Sequence, residues 1–432
     1  MKKVSFLTLG CKVNQYETEA MMELFSNKGY EVSNNDEICD IYVINTCTVT
    51  NLSDRKSRQF ISKAKSKNPQ AIIAAVGCYS QVSTEEVLAI DGINVVLGTN
   101  NRAKIVEYCE EAMKTNKIIN KVENIKTNKD FESLSITKQN HMTRAYIKIQ
   151  EGCSQFCSYC IIPYARGPIR SRNLDEIYEE ALLLSKNNFK EIILTGIHVA
   201  SYGLDFKNNI SLVDVIEKIA TINSIKRIRL SSLEPRIITD DFLYRVKNTN
   251  KFCDHFHLSL QSGSDKILKL MNRKYDTKEY LEKVKLIRKY FPNAGITTDI
   301  IVGFPNEEEE DFQETLEFVN TVGFSKIHVF KYSPRSGTKA AKMENQIDGN
   351  IKKARSSLLI DESKKLTNQF LNKFIGDDVE VLFEEKNDSK IMNGYSTNYI
   401  RVSTNYNKDF INKITKIKIT DIQDEGVFGI IN

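Results

Sequence analysis

The sequence predicts an α/β protein in three parts: a doubly wound parallel sheet, a central six-stranded partial β/α barrel, and a small C-terminal β-barrel. Three observations predict it. Val- and Ile-rich runs alternate with charged, helix-period stretches over residues 1–115; six further strand-like runs alternate with helices over residues 139–368; and residues 369–432 carry short strands and turn residues without a strong helix. Near-continuous apolar strands separated by helices belong in parallel sheets covered on both faces.

The first part builds its strands from "VSFLTL", "IYVIN", "AIIAAV" and "NVVL", with stretches such as "YETEAMMELFSNKG" between them. Residues 116–138 are polar, rich in Asn and Lys and weakly periodic, which predicts a linker or surface excursion. Alternation resumes in "AYIKI", "EIILT", "RIRLSSL", "HFHLSL", "ITTDIIV" and "KIHVFKY". Six βα repeats are too many for a small open sheet and too few for a closed eight-stranded barrel, so a partial barrel is expected, with its chemistry at the carboxyl ends of the strands. The acidic run from Asn306 to Phe312 predicts a capped helix start favoured by the helix dipole. A charged helix near residues 350–374 leads into the tail, where turn residues and short strands predict a small β-barrel.

A chain of 432 residues buries a large core without covalent staples, and nine unevenly spaced cysteines argue against a disulfide framework. The start "MKKVSFLTLG" lacks the apolar core of a signal peptide, and no run of about 18 apolar residues follows it. The expectation is a soluble cytoplasmic protein with reduced thiols and no membrane partner. Its net charge of +5 is mildly basic, so a nucleic-acid partner would need a local patch.

"EGCSQFCSYC" sets Cys153, Cys157 and Cys160 close together, directly after the strand "AYIKI". Thiolates so crowded in a reducing compartment point to metal, and three ligands on a four-iron cubane would leave one iron open to a bidentate amino-acid head group. Structural zinc is the alternative, but no fourth Cys or His stands nearby to close a tetrahedron. Three more cysteines each follow an apolar strand: Cys11 after "VSFLTLG", Cys47 after "IYVINT" and Cys78 after "AIIAAVG". Strand ends line one edge of a parallel sheet, so these side chains are a candidate second ligand set; three small residues packing at strand ends is the other reading.

The spacing CxxxCxxC, with Tyr159 before the last cysteine, resembles the radical S-adenosylmethionine (SAM) superfamily. The flanking words "TLGCKVNQYETE", "NTCTVTNLSDRKSRQ", "VGCYSQ", "CIIPYARGPIRSR" and "YSPRSGT" resemble the methylthiotransferase family along nearly the whole chain. The resemblance implies an N-terminal domain with an auxiliary [4Fe-4S] cluster on Cys11, Cys47 and Cys78, and a radical SAM core with a second cluster on Cys153, Cys157 and Cys160. It also implies a C-terminal RNA-binding TRAM barrel. It implies a SAM pocket lined by Tyr159, Thr195, Gly196, Glu234, Gln261, Asp299 and Gly303, although by chemistry alone these serve equally as turns, caps or satisfied polar groups. Cys39, Cys109 and Cys253 match no ligand position and are expected as packed thiols.

"NTCTVTN" and "LGCKVNQYE" are most similar to the branch acting on threonylcarbamoyl-adenosine beside the tRNA anticodon. The implied reaction replaces the hydrogen on carbon 2 of adenine with a methylthio group, using two SAM per turnover, tRNA, an electron donor and a sulfur source. No stable protein partner is inferred. The same chemistry on isopentenyl-adenosine or a ribosomal protein stays open, as does a metal-stapled RNA-binding protein without catalysis.

For RNA, Arg55, Lys56, Arg58, Lys63, Lys65 and Lys67 follow Cys47 on a helix that would meet phosphates or simply be solvated. Arg166, Arg170 and Arg172 would grip phosphate or pair within the core. Residues 371–432 hold eight Lys or Arg against ten Asp or Glu. RNA binding there would rest on local patches, with Tyr395, Tyr399, Arg401 and Lys413 as candidates.

Overall fold

The computed structural model describes residues 1–34, 37–137, 143–384 and 390–431. Six parallel strands open the chain, in the spatial order Glu31–Ser33, Lys3–Thr8, Ile41–Thr46, Ile72–Gly77, Val95–Val96 and Ile119–Asn120. Ile41–Thr46 and Ile72–Gly77 are buried at every residue because helices cover both faces. Helices Lys12–Asn27 and Ile105–Thr115 pack on one face, and Asn51–Lys67 packs on the other. Strand order reverses beside Lys3–Thr8, which opens a crevice at the carboxyl ends there.

Residues 116–138 differ from the expected surface excursion. Ile119 joins the sheet edge, and Leu134 and Ile136 are buried against Tyr16 and Ala20. A few isolated apolar residues anchor the segment, too sparsely to register as periodicity. The expected boundary at residues 138 and 139 lies outside the described residues.

The central part has six parallel strands. Arg144–Glu151, Glu191–Gly196 and Arg227–Leu230 form one sheet, with the short antiparallel strand Arg170–Ser171 at its edge; His255–His257, Gly295–Val302 and Lys326–Lys331 form another. Parallel bridges at Ile228 with Phe252 and Leu233 with Leu258 join the two into a partial barrel. Strand residues alternate: Ala145, Ile147, Ile149, Ile192, Leu194, Ile228, Leu230, Phe256 and Leu258 pack on the outer helices. Their neighbours Tyr146, Lys148, Glu191, Arg227, Arg229, His255 and His257 face the opposite way, into the lumen. Closed eight-stranded barrels fill that space with branched apolar side chains. Here it is polar.

Helix Gly349–Asn372 covers the last barrel strand, where Ser363 Oγ accepts the Ile327 N–H at 3.0 Å. The acidic run opens helix Glu309–Val322 through a capping box between Glu308 and Asp311. Five strands, Asp378–Phe383, Ile391–Ser396, Arg401–Asn405, Ile414–Gln423 and Gly426–Ile431, then close a barrel. It seals the floor of the lumen. Arg227 donates to the carbonyls of Tyr395 and Glu380 at 2.9 and 2.8 Å, Arg229 to those of Thr397 and Ser396 at 2.9 and 3.0 Å, and Arg144 pairs with Glu384 at 2.7 Å. Among the described residues, no helix is long and apolar enough to cross a membrane.

The N-terminal sheet is locked to the barrel by buried charges. Glu17, on helix Lys12–Asn27, meets Arg102 at 2.5 Å, Arg166 at 2.6 Å and Lys148 at 2.8 Å, while Glu151 takes Arg166 at 2.9 Å and also Lys148. Burial alone would raise the Glu17 carboxyl, yet Arg102, Arg166 and Lys148 hold it well below the ordinary range. Glu151 is likewise buried, and Arg166 and Lys148 bring it to about 2. Glu17→Gln should cost about 3–5 kcal/mol in urea unfolding at pH 7, because three cations then lose a buried counter-charge. Both carboxyls titrate lower in the folded state than the roughly 4.3 of an unfolded Glu. Their contribution is therefore complete above that pH and lost as the pH falls toward about 2, a slope that the variant should partly lack.

Candidate active site

Cys11, Cys47 and Cys78 stand at the carboxyl ends of three strands that are neighbours in the sheet. Neighbouring strands lie about 4.8 Å apart, and the register sets Thr8 beside Asn45 and Thr46 beside Gly77. Three distant cysteines thus end side by side. Gly10 has φ +99°, and a Cβ there would come within 2.8 Å of both Cβ and Sγ of Cys47. Only glycine lets the first strand end so close to Cys47. Burial pushes the Cys78 thiol up to about 12, although Arg166 Nε donates to its Sγ at 3.1 Å. A metal would displace that proton.

Ser80 Oγ and Asn45 Oδ1, each two residues from a cysteine of this set, are buried without partners among the described residues. Among the described residues, no three His, Cys, Asp or Glu side chains are placed to hold a single metal ion. A four-iron cubane sets a different demand, since each thiolate takes its own iron. The donor set and the tight backbone approach at Gly10 fit such a cluster.

Cys153, Cys157 and Cys160 occupy the loop after strand Arg144–Glu151, at the carboxyl mouth of the barrel. The chain leaves the strand through Gly152, φ +71°, where a Cβ would lie 1.8 Å from Pro168 O. The loop is then pinned: the Cys153 N–H donates to Gly167 O at 3.0 Å, Ser158 Oγ to Leu270 O at 2.8 Å, and the Ala340 N–H to Ser158 O at 2.7 Å. Burial pushes the Cys160 thiol up to about 12, and Cys157 and Cys153 add to it. No motif or periodicity marks Arg273, whose Nη1–H donates to Cys157 Sγ at 3.3 Å. Its charge also reaches Tyr159, Tyr275, Glu234 and His198.

The residues expected around SAM divide into groups. Tyr159 and Glu234 join the three cysteines around Arg273; Tyr159 sets its ring against Phe304 at 6.4 Å, and Glu234 accepts the Arg236 N–H at 3.2 Å. Thr195 is buried at the end of its strand, and a Cβ on the adjacent Gly196 would press on Gln150 at 3.0 Å. Gln150 Oε1 accepts the His198 N–H at 2.7 Å, and burial with Arg273 nearby lowers the His198 imidazole to about 4, so it is neutral at pH 7. Gln261, φ +76°, bridges to the strand Gly295–Val302 through its own backbone. Asp299 pairs with His257 at 3.2 Å, and the Gly303 N–H goes to Glu307 at 2.9 Å.

A second contact ties the Cys47 turn to the barrel. Arg335, from "YSPRSGT", donates to Thr48 Oγ1 at 2.6 Å, Asn51 Oδ1 at 2.5 Å and Asp54 Oδ2 at 2.5 Å, which fixes the turn after Cys47 against the end of the barrel. Cys39, Cys109 and Cys253 are buried thiols. Arg166, Arg170 and Arg172 are buried too; Arg166 and Arg172 pair with carboxylates inside the protein.

On helix Asn51–Lys67, Asp54, Ser57, Ile61 and Ala64 face inward, leaving Arg55, Lys56 and Lys63 exposed. Arg58 is exposed as well but donates to Tyr79 Oη at 2.8 Å. In the tail, Arg401 and Lys413 are exposed. Tyr399 is turned inward: its ring lies between His255 at 4.5 Å and Tyr395 at 4.7 Å, with the Arg229 guanidinium 4.7 Å from its centre. The Tyr399 face expected to meet RNA is therefore spent on the barrel floor.

A model of the radical SAM superfamily matches residues 147–319, and one of the uncharacterized protein family UPF0004 matches residues 3–98. The chain is 42% identical over 424 residues to the threonylcarbamoyladenosine tRNA methylthiotransferase MtaB of Bacillus subtilis (strain 168), covering 97% of this chain and 94% of that one. This chain belongs to the tRNA methylthiotransferase family of radical SAM enzymes. It is an enzyme, and its family uses SAM and a [4Fe-4S] cluster. The Aquifex aeolicus (strain VF5) protein of the same name is 40% identical, covering 89% of this chain and 93% of that one. A tRNA-2-methylthio-N(6)-dimethylallyladenosine synthase of Acetivibrio thermocellus is 34% identical, covering 98% and 89%. The fold is similar to that of the radical SAM methyltransferase TsrM from Kitasatospora setae, with a TM-score of 0.59 at 13% identity over 79% of this chain and 74% of that one.

If Cys153, Cys157 and Cys160 hold the family's [4Fe-4S] cluster, changing any one of them to Ala should abolish 5'-deoxyadenosine formation from SAM in an anaerobic assay, since a missing thiolate would compromise that cluster. Changing Arg55, Lys56 and Lys63 together to Gln should weaken tRNA binding and flatten its salt dependence by up to roughly one unit of slope per lost phosphate contact. Fluorescence titrations at several salt concentrations read both quantities, and an unchanged slope would assign the helix face to solvent alone.

Proposed function

We propose that this enzyme replaces the hydrogen on carbon 2 of threonylcarbamoyl-adenosine, next to the tRNA anticodon, with a methylthio group, using two [4Fe-4S] clusters and two SAM per turnover. The observation that carries the reading is the approach of two three-cysteine sets across one domain boundary, where Arg166, at the end of the short helix Ile162–Arg166 that follows Cys160, donates to Cys78. Cys11, Cys47 and Cys78 would hold the auxiliary cluster, and Cys153, Cys157 and Cys160 the one that meets SAM. When bound, these groups supply the electron, the radical that removes the hydrogen, and the sulfur and methyl that replace it.

The chain's own residues do the positioning. Arg166 and Arg273 each donate to one cysteine sulfur, which stabilises the thiolate form and influences the potential of what it ligates. Arg335 holds the Cys47 turn against the barrel mouth. Tyr159 from the cysteine loop, together with Thr195, Gly196, Glu234, Gln261 and Gly303 at or just past strand ends, would surround SAM, and Asp299 stands within its strand. Arg55, Lys56 and Arg401 are exposed for tRNA phosphates, Arg58 in part, and Tyr399 acts by holding the tail barrel in place. An electron donor and a sulfur source come from outside, in the cytoplasm.

The substrate follows the relatives of higher identity, named for threonylcarbamoyladenosine at 42% and 40%, over one at 34% named for dimethylallyladenosine. Nucleoside mass spectrometry of tRNA from cells with and without the protein tests it. Loss of the 2-methylthio form of threonylcarbamoyl-adenosine supports the reading, and loss of the isopentenyl-adenosine counterpart replaces it.

Changing Cys11, Cys47 and Cys78 together to Ala should cut iron by about half, since one of two similar clusters is lost. The variant should still form 5'-deoxyadenosine but no methylthio nucleoside. Full iron content, or product at the normal rate, would make these three cysteines packing residues only.

A further inference from the structure

The lumen of the partial barrel is rich in cations, and nearly all of them have partners. Arg144 pairs with Glu384, Lys148 with Glu17 and Glu151, and Arg229 with Glu191 at 2.8 Å, while Arg227 donates to two carbonyls of the tail. Lys12 is the exception. It is half-buried, and among the described residues its ammonium makes no hydrogen bond and no ion pair; it lies 6.0 Å from the centre of the Tyr146 ring.

Three further features leave positive charge uncompensated at that point. Lys12 opens helix Lys12–Asn27, whose first turn carries no acidic residue, so the positive end of the helix dipole adds to the ammonium. Its charge acts on Arg144, Arg229, His255 and His328, which line the same lumen. The nearby acids are already engaged, Asp299 by His257 and Glu191 by Arg229. A second polar atom in this chamber, Nδ1 of His255, is buried without a partner among the described residues.

A half-buried ammonium that no carboxylate among the described residues pairs with, in a chamber whose other cations have protein partners, is a site for an anionic group of a ligand. Lys12 directly follows Cys11, so a group held by it lies beside the proposed sulfur-bearing set. The threonine of a threonylcarbamoyl substituent is attached through its nitrogen, which leaves its carboxylate free. An isopentenyl substituent carries no charge. We propose that Lys12 is a specificity-determining residue whose ammonium receives the carboxylate of the threonylcarbamoyl group inside the barrel lumen. The assignment rests on the substrate reading above and extends it to the residue that selects the substrate.

The test compares two anticodon stem-loop RNAs, one carrying threonylcarbamoyl-adenosine and one in which only its carboxylate is converted to the carboxamide. Cluster-loaded wild-type enzyme, Lys12→Gln and Lys12→Arg are assayed for kcat/KM and RNA affinity, with iron content measured on each. A charge-assisted hydrogen bond corresponds to a preference for the acid over the amide on the order of tenfold to a hundredfold in the wild type. Lys12→Gln should bring that ratio to about one, through loss on the acid alone, while Lys12→Arg keeps most of it. A merely structural lysine would change both RNAs equally and leave the ratio intact.

The assignment is overturned if the wild type does not distinguish the two RNAs, a result that needs no variant, or if Lys12→Gln keeps the wild-type ratio. Equal loss on both RNAs, or a change confined to the SAM concentration dependence, also overturns it. If the wild type modifies an isopentenyl-adenosine stem-loop and neither of the other two, the substrate reading fails first and the role of Lys12 falls with it. If it modifies the acid and amide RNAs alike, Lys12 alone is misassigned.

Discussion

Charge that cannot reach water holds this molecule together. Glu17 reaches from the first helix into the barrel, where Lys148 and Arg166 meet it and Arg102 backs it from its own domain. In a low-dielectric interior such a set is stable only when every member is present, because any removal strands an ion. Arg166 is also the donor to Cys78, so a group that neutralises the boundary is fixed to the first cysteine set. Had the two domains met through apolar surfaces, they would have been free to slide. Directional ion pairs set a register.

The same economy of contacts explains the polar lumen. A partial barrel has an open side, and helix Lys12–Asn27 leans over it from the N-terminal sheet. Outward positions of the strands obey the core rule and pack on helices. Inward positions are released from it, and "AYIKI", "RIRL" and "HFHL" place a charged or hydrogen-bonding residue at each second step.

Much of this was legible in the sequence because it is periodic or local. The six barrel strands, the capped acidic helix and the closed tail barrel follow from alternation and turn residues. The grouping of Cys11, Cys47 and Cys78 follows from a simple topological rule about strand ends, which the order of the sheet satisfies. What escaped the sequence depends on contacts between parts. Arg273 sits in a short turn with no pattern around it, and only the folded chain sets it beside Cys157. Arg335 reaches across 281 positions to Asp54. Tyr399 resembles an RNA-stacking residue in isolation, yet its neighbours His255 and Arg229 belong to another domain. Leu134 and Ile136 anchor a polar segment that composition alone marks as loose.

The floor of the lumen bears on how such a protein evolves. Arg144, Arg227 and Arg229 direct their guanidinium groups at Glu384 and at backbone carbonyls of the tail, and the Tyr399 ring closes the stack. The C-terminal barrel is thus not an interchangeable module fused to an independent catalyst. A recombination event that exchanged it for an unrelated RNA-binding domain would strip all three cations of their tail acceptors, leaving Glu191 alone to serve Arg227 and Arg229. Inheritance of the tail is coupled to inheritance of the barrel interior, and the two parts are constrained to diverge together.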